Sequence, residues 1–267
     1  MYHLHPRLTV MMEFYSPKEY EHVRDVLLQE TLRKRPDTDP ELTAYTPTET
    51  LDLMENNETI GAYFEHLESY RIPEVKTLVG IPCAAAKPWT REEQEGRASQ
   101  YGAVWEVKDD VKDAYFVTVS EPLGIVPEDH WDLQVDGIGS VFYDVPGLFS
   151  ALPQFRCSRE DFERKYGFEK KRIPFDRDDY KRCVEILGHE IAVFLSNNAD
   201  RYEHAEFFVK KGSTHDAFMK EALTQLDDDV RERVHVNYLP KGYIKPGNPG
   251  GKAFKEELLA LSWDEDD

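Results

Sequence analysis

Short runs of β-branched and aromatic residues alternate along this chain with longer segments of helical periodicity. That alternation limits the possible folds more than any other feature. Lys76-Thr77-Leu78-Val79-Gly80-Ile81-Pro82, Ala114-Tyr115-Phe116-Val117-Thr118-Val119-Ser120, Ala205–Val209 and Val234–Leu239 each read as a buried strand, and Val104–Val107 as a shorter one. Between them, Asp176–Leu195 carries Tyr180, Cys183, Ile186, Leu187, Ile191 and Phe194 at helical spacing, and Asp216–Leu226 reads as a further helix. The polar stretch Thr90–Gln100 reads as helical, and Ser158-Arg159-Glu160-Asp161 has the form of a capping box opening Phe162–Tyr166. Strands separated by helices build βαβ units and a mostly parallel sheet, so the expected class is α/β with three layers.

Upstream of that pattern the chain reads as helical. Ser16-Pro17 places a cap and a first-turn proline ahead of Lys18–Arg35, Thr46-Pro47-Thr48-Glu49 starts a second helix, and Glu58–Tyr70 forms a third. Three regions are expected: a helical lead-in over 1–74, an α/β domain over 75–240, and a Gly/Pro/Lys-rich tail with a short helix over 241–267. Residues Asp264-Glu265-Asp266-Asp267 read as a solvated end.

Charge narrows the function. The 267 residues include 52 Asp+Glu against 33 Lys+Arg, a formal net charge of −19, while 40% hydrophobic residues suffice for a packed core. Such a surface repels polyanions, which excludes a protein that coats nucleic acid by neutralising phosphates. A pocket with a local basic rim stays open, and Lys87, Lys170-Lys171-Arg172, Lys210-Lys211 and Lys241–Lys252 are candidates for that rim. No apolar run approaches the about 18–20 residues that cross a bilayer, and Met1–Pro6 lacks the layout of a secretion signal, so a cytoplasmic protein without membrane contact is expected.

The three cysteines, Cys83, Cys157 and Cys183, show no C-x-x-C spacing, and no two histidines stand at ligand spacing. Neither a metal nor a cofactor is expected. Cys183 reads as a core residue on a helix, and Cys157 sits at a helix start. Chemistry concentrates elsewhere. In open α/β sheets ligands bind at the C-terminal ends of strands. Three segments qualify: Ile81-Pro82-Cys83-Ala84-Ala85-Ala86-Lys87-Pro88-Trp89, Ser120-Glu121-Pro122-Leu123-Gly124-Ile125-Val126-Pro127, and Phe142-Tyr143-Asp144-Val145-Pro146-Gly147. Each pairs polar side chains with Pro or Gly that shape an irregular backbone.

These segments carry a resemblance. Pro82-Cys83-x-x-x-Lys87-Pro88-Trp89, Glu121-Pro122-Leu123-Gly124-Ile125-Val126-Pro127 and Tyr143-Asp144-Val145-Pro146 are similar, in the same order, to motifs of the archaeosine synthase core domain. The similarity runs from Val75 to about Leu239. It implies a core similar to uracil-DNA glycosylases that works on the nitrile-bearing 7-deazaguanine base preQ0 in nucleic acid, DNA or tRNA. There it adds an amine, lysine or glutamine-derived ammonia, to form an amidine. Glu92 and Glu95 stand where the family has Ser and His, and Trp89 where it has Tyr. The family's transglycosylase-like and RNA-binding domains have no counterpart in this sequence, so a partner enzyme or nucleic-acid-binding subunit is expected to assist.

In the chemistry this implies, the Cys83 thiolate adds to the nitrile carbon and an amine displaces it. Lys87 stabilises the adduct, and Asp144 or Glu121 moves the proton. Trp89 and Tyr143 offer flat faces to a flipped-out base. Pro82, Pro88, Pro122, Gly124 and Pro146 shape the pocket, and Asn197 closes it from the end of the long helix. Each residue also has a plain alternative. Cys83 can be a small residue under its loop, Asp144 a cap for the turn before Pro146, Lys87 a surface charge, and Asn197 only a helix terminus. The rival function is a non-catalytic base-binding or scaffold subunit. A glycosylase-like hydrolase follows from fold analogy alone.

Overall fold

A computed structural model describes residues 13–149, 152–243 and 249–262. Parts of two sequence expectations, the tail over Lys241–Lys252 and the acidic end Asp264–Asp267, lie outside those residues.

The chain begins with α1 (Pro17–Lys34), whose cap Ser16 and Glu19 form a reciprocal capping box. Helices α2 (Pro47–Asn56) and α3 (Glu58–Ser69) follow, capped by Thr46 and Asn57. Strand β1 (Val75–Pro82) is succeeded by the one-turn α4 (Arg91–Gln94) and by α5 (Gln100–Val107). Next come β2 (Ala114–Ser120), β3 (Gly124–Pro127) and a small hairpin of β4 (Gln134–Val135) with β5 (Gly139–Ser140). Then follow α6 (Arg159–Tyr166), the 21-residue α7 (Arg177–Asn197), β6 (Tyr202–Val209), α8 (Thr214–Gln225), α9 (Asp228–Arg231), β7 (Val234–Tyr238) and α10 (Pro249–Ala260).

Five strands form one sheet in the order β3-β2-β1-β6-β7. β2, β1, β6 and β7 run parallel, and β3 returns antiparallel along β2. The class is α/β with a mostly parallel sheet, and helices cover both faces. Residues of successive parity point to opposite faces of each strand. On one face the Tyr101 hydroxyl of α5 meets Thr118 of β2, and Phe208 of β6 meets Phe254 of α10 edge-on at 5.7 Å. α7 packs against the edge strand β3, where a side chain at Gly124 would meet Glu190. Gly80 lets β1 and β6 pack: a Cβ there would lie 2.1 Å from the Phe207 ring of the neighbouring strand.

The N-terminal helices divide between two cores. α2 and α3 bury Leu53, Met54, Ile60, Tyr63 and Leu67 in the same cluster as the sheet. α1 instead joins Val23 and Leu27 to Tyr15, Tyr45 and Leu152 in a satellite cluster, against which Phe155 and Phe168 pack.

Three local expectations are corrected. Val104–Val107 is the last turn of α5 and not a strand: Ser99 caps that helix, and a run of four residues is too short for its periodicity to tell helix from strand. The helix expected over Thr90–Gln100 is a single turn, ended before Gly96, whose φ of 74° lies in the left-handed region. The loop expected after Ser120 contains β3, turned by Gly124 at φ 71°.

Candidate active site

Strand order decides which loops meet. β2, β1 and β6 are parallel neighbours, so the segments leaving their C-terminal ends converge on one edge of the sheet. β1 delivers Cys83, β2 delivers Glu121, and the turn after β6 delivers His215 in the first turn of α8.

The Cys83 loop is held from several sides. Its backbone N–H donates to Val119 at 2.9 Å. The Gln100 side-chain amide donates to the Pro82 and Cys83 carbonyls at 2.5 and 2.9 Å. Further on, the Gln94 amide donates to the Pro88 carbonyl at 2.7 Å, and the Trp89 indole donates to Ala84 at 3.2 Å. The Lys87–Pro88 and Glu121–Pro122 peptides are cis.

At the centre, Cys83 Sγ lies 3.4 Å from His215 Nε2, and the same nitrogen lies 3.3 Å from Glu121 Oε2. The two residues beside the thiol are deeply buried: Glu121 is 2% exposed and His215 6%. Burial by itself would lower the His215 pKa. The charges of Cys83 and Glu121 beside the ring, with the contact between the thiol and the ring nitrogen, outweigh it and raise the value to about 10. Lys87 sits on the other side, its ammonium 4.1 Å from the centre of the Tyr143 ring and 5.5 Å from that of Trp89. Burial pushes the Lys87 pKa down, while the negative charges of Cys83 and Asp144 resist.

Cys83 stands where two lobes of a cleft join. One, of about 450 Å³, is lined by Lys87, Glu121, Tyr143, Asp144 and Pro146. The other, of about 500 Å³, is lined by Pro82, Tyr180, Lys210, Ser213, Thr214 and His215. Both lie within the size range of small-molecule sites. Phe149 and Arg156 line both lobes, and Arg156 makes no hydrogen bond or ion pair among the described residues. Thr214, 8% exposed, has a buried hydroxyl without a partner beside the N-terminus of α8. A cation, an unpaired hydroxyl and a helix N-terminus together make this lobe suited to an anion such as a phosphate.

The other expected residues fall into distinct places. Tyr143 lines the first lobe, but Lys87 covers its ring face and its hydroxyl is bonded to Ser120. Trp89 is fully buried and stacked on Tyr101 at 5.3 Å with rings 7° apart, so it offers no face to a base. Asp144 faces the first lobe with both oxygens engaged: Arg35 donates to Oδ1 at 2.8 Å and Thr31 to Oδ2 at 2.7 Å. That ties it to the C-terminal end of α1. Pro82 and Pro146 line the cleft, Pro88 anchors its loop through Gln94, and Pro122 follows Glu121 into the turn. Gly124 packs against α7 and lines neither lobe.

Asn197 is a correction. Its amide donates to Glu68 at 2.8 Å, and Asn198 donates to Tyr70, both ahead of β1. It therefore lies at the N-terminal edge of the sheet, opposite the site, as a helix terminus. Of the expected basic rim, Lys210 lines the second lobe, whereas Lys170 and Lys171 are bonded to Cys157 and Glu19. Cys183 is wholly buried and its thiol is pushed up to about 12 by that burial.

His215 and Arg156 were not visible as site residues in the sequence. The signal for His215 was its place six residues beyond a strand, at the start of a helix, in Lys211-Gly212-Ser213-Thr214-His215. Arg156 had none.

Glu30 holds the α1 side of the first lobe together. It receives Lys34 at 2.6 Å, Lys165 at 2.7 Å and the Tyr166 hydroxyl. Burial alone would raise its pKa, but those three donors hold it at about 2. A carboxylate depressed in this way adds stability that is complete above its unfolded pKa and is lost as pH falls towards 2. Glu30→Gln is therefore expected to lower Tm at pH 7 by about 2–4 °C, the shift of ~1 kcal/mol in a chain of this size. The difference from the parent should shrink steadily below pH 4.5. A difference independent of pH, read by thermal unfolding at several pH values, would refute the assignment.

Comparison with protein-family models, with curated proteins and with solved structures finds no match for this chain.

Proposed function

We propose that this protein is a transferase that adds an amine to the nitrile of a 7-deazaguanine base in nucleic acid, giving an amidine. The observation that carries the reading is the contact of Cys83 Sγ with His215 Nε2 at 3.4 Å, at the junction of two cleft lobes. A nitrile carbon is electrophilic, and a thiolate beside a proton donor is the nucleophile suited to it. The motif resemblance at Cys83, Lys87, Tyr143 and Asp144 supports this choice of base.

The steps balance without an oxidant or reductant. Cys83 Sγ bonds to the nitrile carbon, and one C–N π bond takes up the proton of His215 Nε2 to give a thioimidate. The amine then bonds to the same carbon and gives up a proton to His215, with Glu121 steadying the imidazolium. The C–S bond breaks, and Cys83 leaves as a thiolate. Nitrile plus primary amine yields a substituted amidine.

The site supplies the other needs of this reaction. Phe149, in both lobes, presents an aromatic surface where Trp89 and Tyr143 are covered. Arg156, Lys210 and Thr214 offer a place for a phosphate of the substrate strand.

The test is direct. Oligodeoxynucleotides and tRNA carrying preQ0 are incubated with the protein and with lysine, glutamine or ammonium. Nucleosides are then analysed by mass spectrometry. A base heavier by the mass of the amine is expected in one of the two nucleic acids. An unchanged nitrile in both, with all three amines, would overturn the reading.

A further inference from the structure

We propose that Cys83, Glu121 and His215 bind one thiophilic divalent cation, Zn²⁺ by its chemistry, with a fourth position open to the cleft. All three donor atoms lie within 4.8 Å of one another. Zinc takes sulfur at about 2.3 Å, imidazole nitrogen at about 2.0–2.1 Å and carboxylate oxygen at about 2.0–2.2 Å, in a tetrahedron. Those bond lengths place sulfur and nitrogen about 3.5 Å apart, and nitrogen and oxygen about 3.4 Å apart. The corresponding separations here are 3.4 Å for Sγ to Nε2 and 3.3 Å for Nε2 to Oε2.

Glu121 supplies a second, independent observation. Its Oε2 is buried and makes no hydrogen bond, although it lies 3.3 Å from the imidazole nitrogen. A buried carboxylate oxygen without a donor is costly unless something positive completes it. A dication between a thiolate and a carboxylate also leaves the buried cluster without net charge, which lowers the cost of keeping it from water.

Three protein ligands with an open fourth position is the layout of zinc sites that keep a place for water or substrate. Spacing along the chain hides it, because the donors come from segments that follow three different strands. Resting on the reading above for this consequence alone, the bound cation would engage the Cys83 lone pair that attacks the nitrile. Occupancy and covalent turnover then exclude each other, and zinc acts as a reversible inhibitor.

The test uses the full chain, stripped with a chelator. Zn²⁺ is titrated in competition with a chromogenic chelator, and Co²⁺ is added separately as a spectroscopic probe. One equivalent of Zn²⁺ should bind, and Co²⁺ should give a thiolate-to-metal charge-transfer band with the intense visible bands of tetrahedral cobalt. Cys83→Ser and His215→Ala should each weaken Zn²⁺ binding at least ~100-fold and abolish or blue-shift those bands, while Cys157→Ser leaves them unchanged. Absence of the charge-transfer band in the parent, or its survival in Cys83→Ser, would overturn the proposal. Neither measurement involves nucleic acid, so a missing amidine product leaves it standing. A missing cobalt band likewise leaves the nitrile chemistry standing.

Discussion

Cys83→Ala is expected to lower amidine formation on a preQ0-containing strand at least ~10³-fold, the scale on which losing an enzyme nucleophile acts. The side chain is only partly buried and its backbone N–H stays bonded to Val119, so folding should be unaffected. Intact-protein mass spectrometry, with the amine withheld, should show the strand attached to the parent and not to the variant. His215→Gln keeps the volume but removes the proton donor 3.4 Å from the sulfur, and should cost ~10²–10⁴-fold. Undiminished product from Cys83→Ala would rule out the covalent route. A loss in Cys83→Ala matched by a fall in Tm would assign the residue to packing instead.

Trp89→Ala should cost about 3–5 kcal/mol of stability, the range for emptying a large aromatic site. In a chain of this size that lowers Tm by roughly 6–20 °C. Trp89 is fully buried, stacked on Tyr101, with its indole N–H on Ala84 and its carbonyl accepting from Trp105 at 2.9 Å. It is thus the floor on which the Cys83–Lys87 loop rests. Trp89→Phe should recover most of the stability while leaving the Ala84 carbonyl without its partner. A residue whose ring stacks on a substrate base would behave in the opposite way, losing activity with Tm intact. Thermal unfolding of both variants, read beside their activity, separates the two roles.

The residues placed at strand ends from pattern alone, Cys83, Lys87 and Glu121, converge in one cleft, because a parallel sheet brings the ends of neighbouring strands together. The reading of Trp89 as a surface for the base missed because burial is a property of what packs above a residue. Here that cover is α5, whose own Tyr101 was hidden in a segment partly read as strand. Asp144 shows the same limit: a carboxylate in a Pro/Gly-rich loop looks free until Arg35, 109 positions away, arrives beside it.

The sequence by itself determined the α/β class, the helical N-terminal segment, the core position of Cys183 and the loop that presents Cys83. All of these follow from hydrophobic period, caps and turn residues, which act over a few positions. Only the tertiary structure decided that His215 meets Cys83, since 132 positions separate them and the meeting depends on β6 lying next to β1. It also decided that Asn197 stands at the far edge of the sheet and that Trp89 belongs to the core. Strand order is a choice among competing packings of the same local elements, and the burial gained by the whole molecule makes it.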